Sequence, residues 1–211
     1  MTTAAPARDA VDPALEGVRP LGDRTLAVWL LVLGAVGFAA SFTLSVERYL
    51  SLVEPGHVAS CSLNVFVDCG AAMGSWQGRL LGFPNPYLGV AAFAVVVTTA
   101  VLWLTGYRPP RWYRLALLTG TVLGELLVVF LMYTSFHQLV SLCLYCMAVW
   151  VVMWPLLWLQ VEHALQTRAL PAPAGLVRAL VGSRVIVLVV GYAVPTGWLL
   201  LTMGPYLVRS F

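Results

Sequence analysis

The sequence predicts an all-α integral membrane protein, and three observations carry that prediction. Of 211 residues, 60% are hydrophobic and only 10% charged, where soluble domains carry about 25% charged residues. The apolar residues gather into five runs, each close to the roughly 20 residues a helix needs to cross a bilayer. The arginines between the runs are unevenly shared, which is a topology signal. These features exclude a soluble globule, a disordered chain and a secreted disulfide scaffold. The net charge of +3 belongs to loops and points to no nucleic-acid partner.

Residues 1–24 are polar, with Arg8, Arg19 and Arg24 among four acidic residues and three prolines, and read as a short mobile tail. Leu26 to Val46 is the first apolar run, too long for the apolar core of a secretory signal, so it reads as an uncleaved span. Pro86 to Thr105, Leu115 to Phe136, Leu142 to Gln160 and Val185 to Met203 are the other four. All five should be helices, because the bilayer core offers no water to backbone polar groups and barrel-type alternation is absent. Pro86 falls in a first turn, where no backbone donor is needed. Pro155 and Pro195 lie inside spans and are expected to kink them.

Five spans put the termini on opposite sides and divide the loops into two sets. The tail, the Tyr107-to-Arg114 loop and the Val161-to-Arg184 loop hold nine of the twelve arginines; Arg48, Arg79 and Arg209 are in the other set. The positive-inside rule therefore makes the N-terminus cytoplasmic and puts the long Glu47-to-Asn85 segment and the His137-to-Ser141 turn outside. The Val161-to-Arg184 stretch, with its Pro171-Ala-Pro173-Ala-Gly175, reads as a cytoplasmic loop. Glu125, mid-span, is costly there and reads as neutral or internally bonded, with proton relay as the functional alternative. His137 reads as a solvated interfacial histidine or as a proton acceptor.

Cys61, Cys69, Cys143 and Cys146 are the only cysteines, and this topology, derived without them, puts all four on the external side. That compartment is oxidising in bacteria, so disulfide cycling is expected. Cys143-Leu-Tyr-Cys146 opens the fourth span at its outer end, where a helix N-terminus lowers a thiol pKa and favours the attacking thiolate. Three-residue spacing places both sulfurs on one face, Cys143 nearer water and Cys146 deeper. Cys61 and Cys69 are close enough to close a short loop, worth about 2.5 kcal/mol as a staple. A redox relay, a structural staple and a metal site all remain open from the residues alone. No histidine or carboxylate cluster accompanies the cysteines, so no metal residues are assigned.

Four ordered motifs narrow this. Cys61-Ser-Leu-Asn-Val-Phe-Val-Asp-Cys69-Gly70, then Ser75-Trp76, then Gly82-Phe-Pro-Asn85-Pro-Tyr-Leu-Gly89, and Cys143-Leu-Tyr-Cys146 together resemble the bacterial vitamin K epoxide reductase family over roughly residues 25 to 160. The resemblance implies a four-helix bundle around a quinone site, here with a fifth transmembrane helix. The implied divisions are 1–24 tail, 25–160 catalytic domain with external loop 47–85, 161–184 cytoplasmic loop, and 185–211 fifth helix and external tail. The resemblance implies that Cys61 and Cys69 are a shuttle pair, that Cys69 forms the mixed disulfide with Cys143, and that Cys146 faces the quinone. It makes Ser75 and Asn85 quinone-site residues, Asn85 through an amide donor. Trp150 stands where animal members have a tyrosine, which makes epoxide chemistry less expected and puts an indole at the quinone contact.

The implied activity is a thiol:quinone oxidoreductase in the bacterial cytoplasmic membrane. It passes electrons from a thioredoxin-fold partner to the quinone and supports disulfide formation outside the cytoplasm. The partner is expected to be a separate protein, because the chain ends eight residues beyond Met203. Menaquinone is favoured over ubiquinone, since abundant Ala, Val, Leu and Arg without Lys suggest a GC-rich genome. A reductase serving the quinol or quinone-epoxide product, and a non-enzymatic membrane protein with structural disulfides, are the alternatives. Met73, Trp76, Leu80 and Phe83, at 3-4-3 spacing, suggest one short amphipathic helix over the mouth of the bundle, as a shield or an interfacial anchor.

Overall fold

The computed structural model describes residues 19–62 and 67–208. Most of the N-terminal tail, the middle of the Cys61-to-Cys69 stretch and Arg209 lie outside the described residues. All five apolar runs are helices long and apolar enough to cross a membrane: α1 (Asp23–Val53), α3 (Asn85–Leu104), α4 (Arg111–Thr134), α5 (Leu144–Gln166) and α7 (Arg184–Val208). Two shorter helices are α2 (Cys69–Gly74) and α6 (Ala174–Gly182). Pro86 does lie in the first turn of α3. Helix assignment continues through Pro155 in α5 and Pro195 in α7.

The helix α1 is the centre of a four-helix bundle: it packs along α3 and α5, and α4 completes the bundle against α5. A membrane offers no hydrophobic drive for one apolar helix to meet another, so close approach and van der Waals contact must do it. Gly37 is the key to the α1–α3 contact. A β-carbon there would sit 2.3 Å from the Phe93 ring, so glycine lets that ring approach the α1 backbone closely. The fifth long helix, α7, lies outside the bundle along α5. Gly191 makes room for the Trp154 indole, which a β-carbon would meet at 1.8 Å.

Two helix ends run past the sequence expectation, for one physical reason. Charged residues mark where an apolar run stops, but a helix continues when those residues find partners. The helix α1 runs seven residues past Val46 because Glu47 turns inward to His57 and Ser60. Likewise α5 runs to Gln166, since Glu162, His163 and Gln166 are all buried and bonded. Arg184 Nε donates to both oxygens of Glu162, at 3.0 and 2.8 Å, Gln166 accepts from Leu21 N–H at 3.0 Å, and His163 meets Asp23 at 3.0 Å. The expected 161–184 loop therefore begins as helix and contains another, α6, whose Val177 and Val181 pack on Leu165.

The single amphipathic helix expected from Met73 to Phe83 is absent. The chain forms α2, leaves helical geometry at Ser75 (φ −68°, ψ 155°), then makes a 3-10 turn at Gln77–Arg79. Met73 is buried, whereas Trp76, Leu80 and Phe83 are exposed, so the four do not share one buried stripe. The α4 helix ends in a π turn, Ser135–Leu139. Gln138 in that turn accepts a hydrogen bond from Gln77, tying the two irregular segments together at the cysteine end of the bundle.

Candidate functional site

The Cys143-to-Cys146 motif opens α5, as its spacing predicts. Cys143 is the N-cap in extended geometry, and its sulfur accepts the Cys146 N–H at 3.3 Å. A hydrogen bond from the Cys146 thiol, aided by the backbone N–H groups of Cys146 and Tyr145, holds the Cys143 thiol below its ordinary pKa; burial and the nearby Asp68 charge oppose this. Thiolate character is thus favoured at Cys143 by local hydrogen bonds.

A short backbone clamp brings the loop cysteines to it. Val67 bridges Leu142 in parallel, Asp68 N–H donates to Leu142 O at 3.0 Å, and Ser141 Oγ donates to Asp68 O at 3.1 Å. The next residue on each segment is a cysteine, so the clamp sets Cys69 against Cys143. Their sulfurs are 3.2 Å apart. Asp68 also caps α2, accepting Gly70 N–H at 2.8 Å; the Ser62 hydroxyl on its carboxylate, together with backbone N–H groups, holds its pKa below the usual range.

Cys61 and Cys69 form a disulfide, while Cys143 and Cys146 are free thiols. Leu44, Ala59 and Met73 pack around the sulfurs. Cys61 and Cys69 are 0% exposed and Cys143 1%, which corrects one expectation. Cys143 is nearer the helix end, yet it is not the water-accessible member of its pair, because the loop disulfide covers it.

Below the sulfurs lies a cavity of about 640 Å³, within the range of about 300–1,000 Å³ that accommodates cofactors and drug-sized ligands. Its walls are almost wholly apolar. They run along α5 from Cys143 to Leu156, about 20 Å at the helical rise. Cys143, Cys146, Ser75, Asn85 and Trp150 all line it, so the structure brings five of the seven sequence-assigned residues to one chamber. Cys61 and Cys69 sit behind Cys143 instead.

Two of those residues are already engaged. Asn85 Nδ2 donates to Gln77 O at 2.7 Å and Oδ1 accepts Leu80 N–H at 3.2 Å. Ser75 Oγ donates to Ala72 O at 2.8 Å and accepts Gly78 N–H at 3.1 Å. Both side chains brace the turn over the cavity mouth, and Asn85 keeps one Nδ2 hydrogen for a ligand. Trp150 packs edge-on against Phe136.

Glu125 is not among the cavity-lining residues, and its Oε2 is buried without a hydrogen bond among the described residues; of the two sequence readings, a neutral or an internally bonded side chain, the second finds no partner at that oxygen. His137 accepts the Trp198 indole N–H at 3.0 Å, joining the π turn to α7. Asp68, Ser141 and Tyr145 were missed from sequence. An acidic residue just before a cysteine is a visible N-cap signal; the cross-chain clamp has no local signal.

The Vitamin K epoxide reductase family pattern matches residues 28–161. No curated protein matches the chain. The matched segment contains every residue of the disulfide, the dithiol and the cavity mouth described above. The chain thus belongs to the vitamin K epoxide reductase family, a family of membrane oxidoreductases that link thiols and disulfides to quinones.

Proposed function

We propose that the protein passes electrons from a thioredoxin-fold partner through Cys61/Cys69 and then Cys143/Cys146 to a quinone, supporting disulfide formation outside the cytoplasm. The observation that carries this reading is the 3.2 Å contact between Cys69 and Cys143 at the top of an apolar cavity that Cys146 lines. A staple has no need of a free thiol in contact with it, and Cys61 bonded to Cys69 does not suit a four-cysteine metal site.

In this reading the partner's dithiol reduces the Cys61–Cys69 disulfide and leaves as a disulfide. The Cys69 thiolate then attacks Cys143 of the oxidised inner pair, Cys61 resolves the mixed disulfide, and the loop disulfide is restored with Cys143 and Cys146 reduced. That end state has the bonding found here. The cavity suits a quinone: its walls exclude water, its length accommodates part of an apolar tail, and the spare Asn85 N–H can meet a ring oxygen. When bound, a quinone supplies a two-electron acceptor, which matches one dithiol. Asn85 and Trp150 would hold the quinone in the chamber that Cys146 lines, while Ser75 braces the turn over its mouth.

The cysteine end faces the oxidising side, in the bacterial cytoplasmic membrane; the support is that eight of the described arginines lie in the segments at the other end. Menaquinone is favoured over ubiquinone on composition, as an Arg-rich, Lys-free chain suits a GC-rich genome. The test is to supply a reduced thioredoxin-fold protein to the chain in quinone-containing vesicles. Partner oxidation that depends on the quinone supports the reading, and oxidation at the same rate in quinone-free vesicles under anaerobic conditions overturns it.

A further inference from the structure

The cluster around Glu47 plays no part in the relay above, and it holds Ser60, the residue next to Cys61, whose arm the backbone clamp at Asp68 and Leu142 does not reach. Glu47, on α1, has a side chain only 10% exposed. Its Oε2 meets His57 Nε2 at 2.8 Å. Its Oε1 accepts both the backbone N–H of Ser60, at 3.2 Å, and the Ser60 hydroxyl, at 2.5 Å. The same hydroxyl lies 3.2 Å from the Tyr145 hydroxyl, inside the Cys143-to-Cys146 motif. Ser60 is followed directly by Cys61. The carboxylate therefore ties the arm that carries Cys61 to α1.

We propose that Glu47 is a positioning residue for the resolving step, holding the Cys61 arm so that the Cys61 thiol stays beside Cys69 once Cys69 has bonded to Cys143. This inference rests on the relay reading. In the mixed disulfide, Cys69 is bonded to Cys143 and two thiols compete. Attack by the Cys61 thiolate on Cys69 forms Cys61–Cys69, breaks Cys69–Cys143 and expels Cys143 as a thiolate, so the electron pair goes forward to the inner pair. Attack by Cys146 on Cys143 re-forms the inner disulfide, expels Cys69 and returns the electrons to the loop. The outcome depends on the effective concentration of each thiol at its target. Cys146 is held by α5. Cys61 is no longer bonded to Cys69, and the hydrogen bonds from Ser60 and His57 to Glu47 hold its arm to α1.

The exchange can be isolated in the full chain. With Cys146→Ser, one disulfide is shared among three sulfurs, and the ratio of Cys61–Cys69 to Cys69–Cys143, read by peptide mapping after an acid quench, reports how well Cys61 is held. Charge-assisted hydrogen bonds are the strong ones, so adding Glu47→Gln should shift the ratio about tenfold toward Cys69–Cys143. Ser60→Ala, which keeps Glu47 but removes one of its donors, should shift it in the same direction by less. A charge-retaining Glu47→Asp is expected to recover part of the ratio, which a general loss of packing does not predict. Unchanged ratios in Glu47→Gln and Ser60→Ala, with Cys69–Cys143 detected in both, overturn the positioning role and leave the relay standing. If no variant ever forms Cys69–Cys143, the relay order fails and this inference with it.

Discussion

The sulfurs of Cys69 and Cys143, 74 residues apart in the chain, lie 3.2 Å from each other, because the residues immediately before them are joined by a backbone hydrogen bond from Asp68 N–H to Leu142 O. Exchange between disulfides passes through a mixed disulfide whose identity shows which sulfurs meet. With Cys61 and Cys146 both replaced by serine, a Cys69–Cys143 bond should accumulate and be found as one cross-linked peptide pair. A search for cross-linked pairs in the Cys69→Ser, Cys143→Ser variant should find little Cys61–Cys146 bond. The reverse yields would assign the shuttle roles the other way.

The hydrogen bond from the Cys146 thiol is the main reason that the Cys143 pKa is depressed. Removing that donor with Cys146→Ala should raise the Cys143 pKa toward the ordinary thiol range. As pH falls, thiolate absorbance in the ultraviolet should then disappear at a higher pH than in a Cys146→Ser variant, whose hydroxyl can still donate. Identical titrations in the two variants would remove the thiol hydrogen bond as the cause.

Much of this architecture was legible in the sequence because membranes impose simple rules. Five apolar runs gave five helices, and the Cys143 motif fell at a helix start because Ser141 and Leu142 end the irregular turn before it. Illegible were the features made by long-range polar contacts. Nothing near Glu47 or Glu162 in sequence shows that Ser60 and Arg184 will bury them, so both helices outran their expected ends. The Met73-to-Phe83 spacing misled in the opposite sense. Its periodicity is real, but Gly74 and Ser75 interrupt the helix, and the Ser75 and Asn85 side chains brace a tight turn that the spacing does not encode.

Phe93 connects the helix packing to the cavity, since it lines the chamber and lies against Gly37. Gly37→Ala should push the ring inward and raise the KM for quinone more than it lowers kcat, at a stability cost of about 1–3 kcal/mol. Adding Phe93→Leu should recover part of both losses. Quinone kinetics and thermal unfolding in detergent on the two variants check this; a fall in kcat alone would point to the sulfurs instead.

At the opposite end, Glu162 is fully buried and holds Arg184 at the start of α7. Glu162→Ala leaves the guanidinium short of its carboxylate and should destabilise the fold by about 3 kcal/mol, read by thermal unfolding. Glu162→Gln, which can still accept from Arg184 and Gln166, should cost less. Equal losses would mean that packing rather than pairing holds α7.

Two electrons leave the protein through the Cys143/Cys146 dithiol, and a single turnover from the redox state with Cys61–Cys69 oxidised tests this. Protein with Cys61–Cys69 oxidised and Cys143/Cys146 reduced is mixed anaerobically with one equivalent of quinone, and quinol and disulfides are quantified together. One quinol per chain should appear together with a Cys143–Cys146 disulfide, and none in Cys146→Ser. Quinol formed by Cys146→Ser at the wild-type rate, or a wild-type dithiol that stays reduced in the presence of quinone, would contradict it.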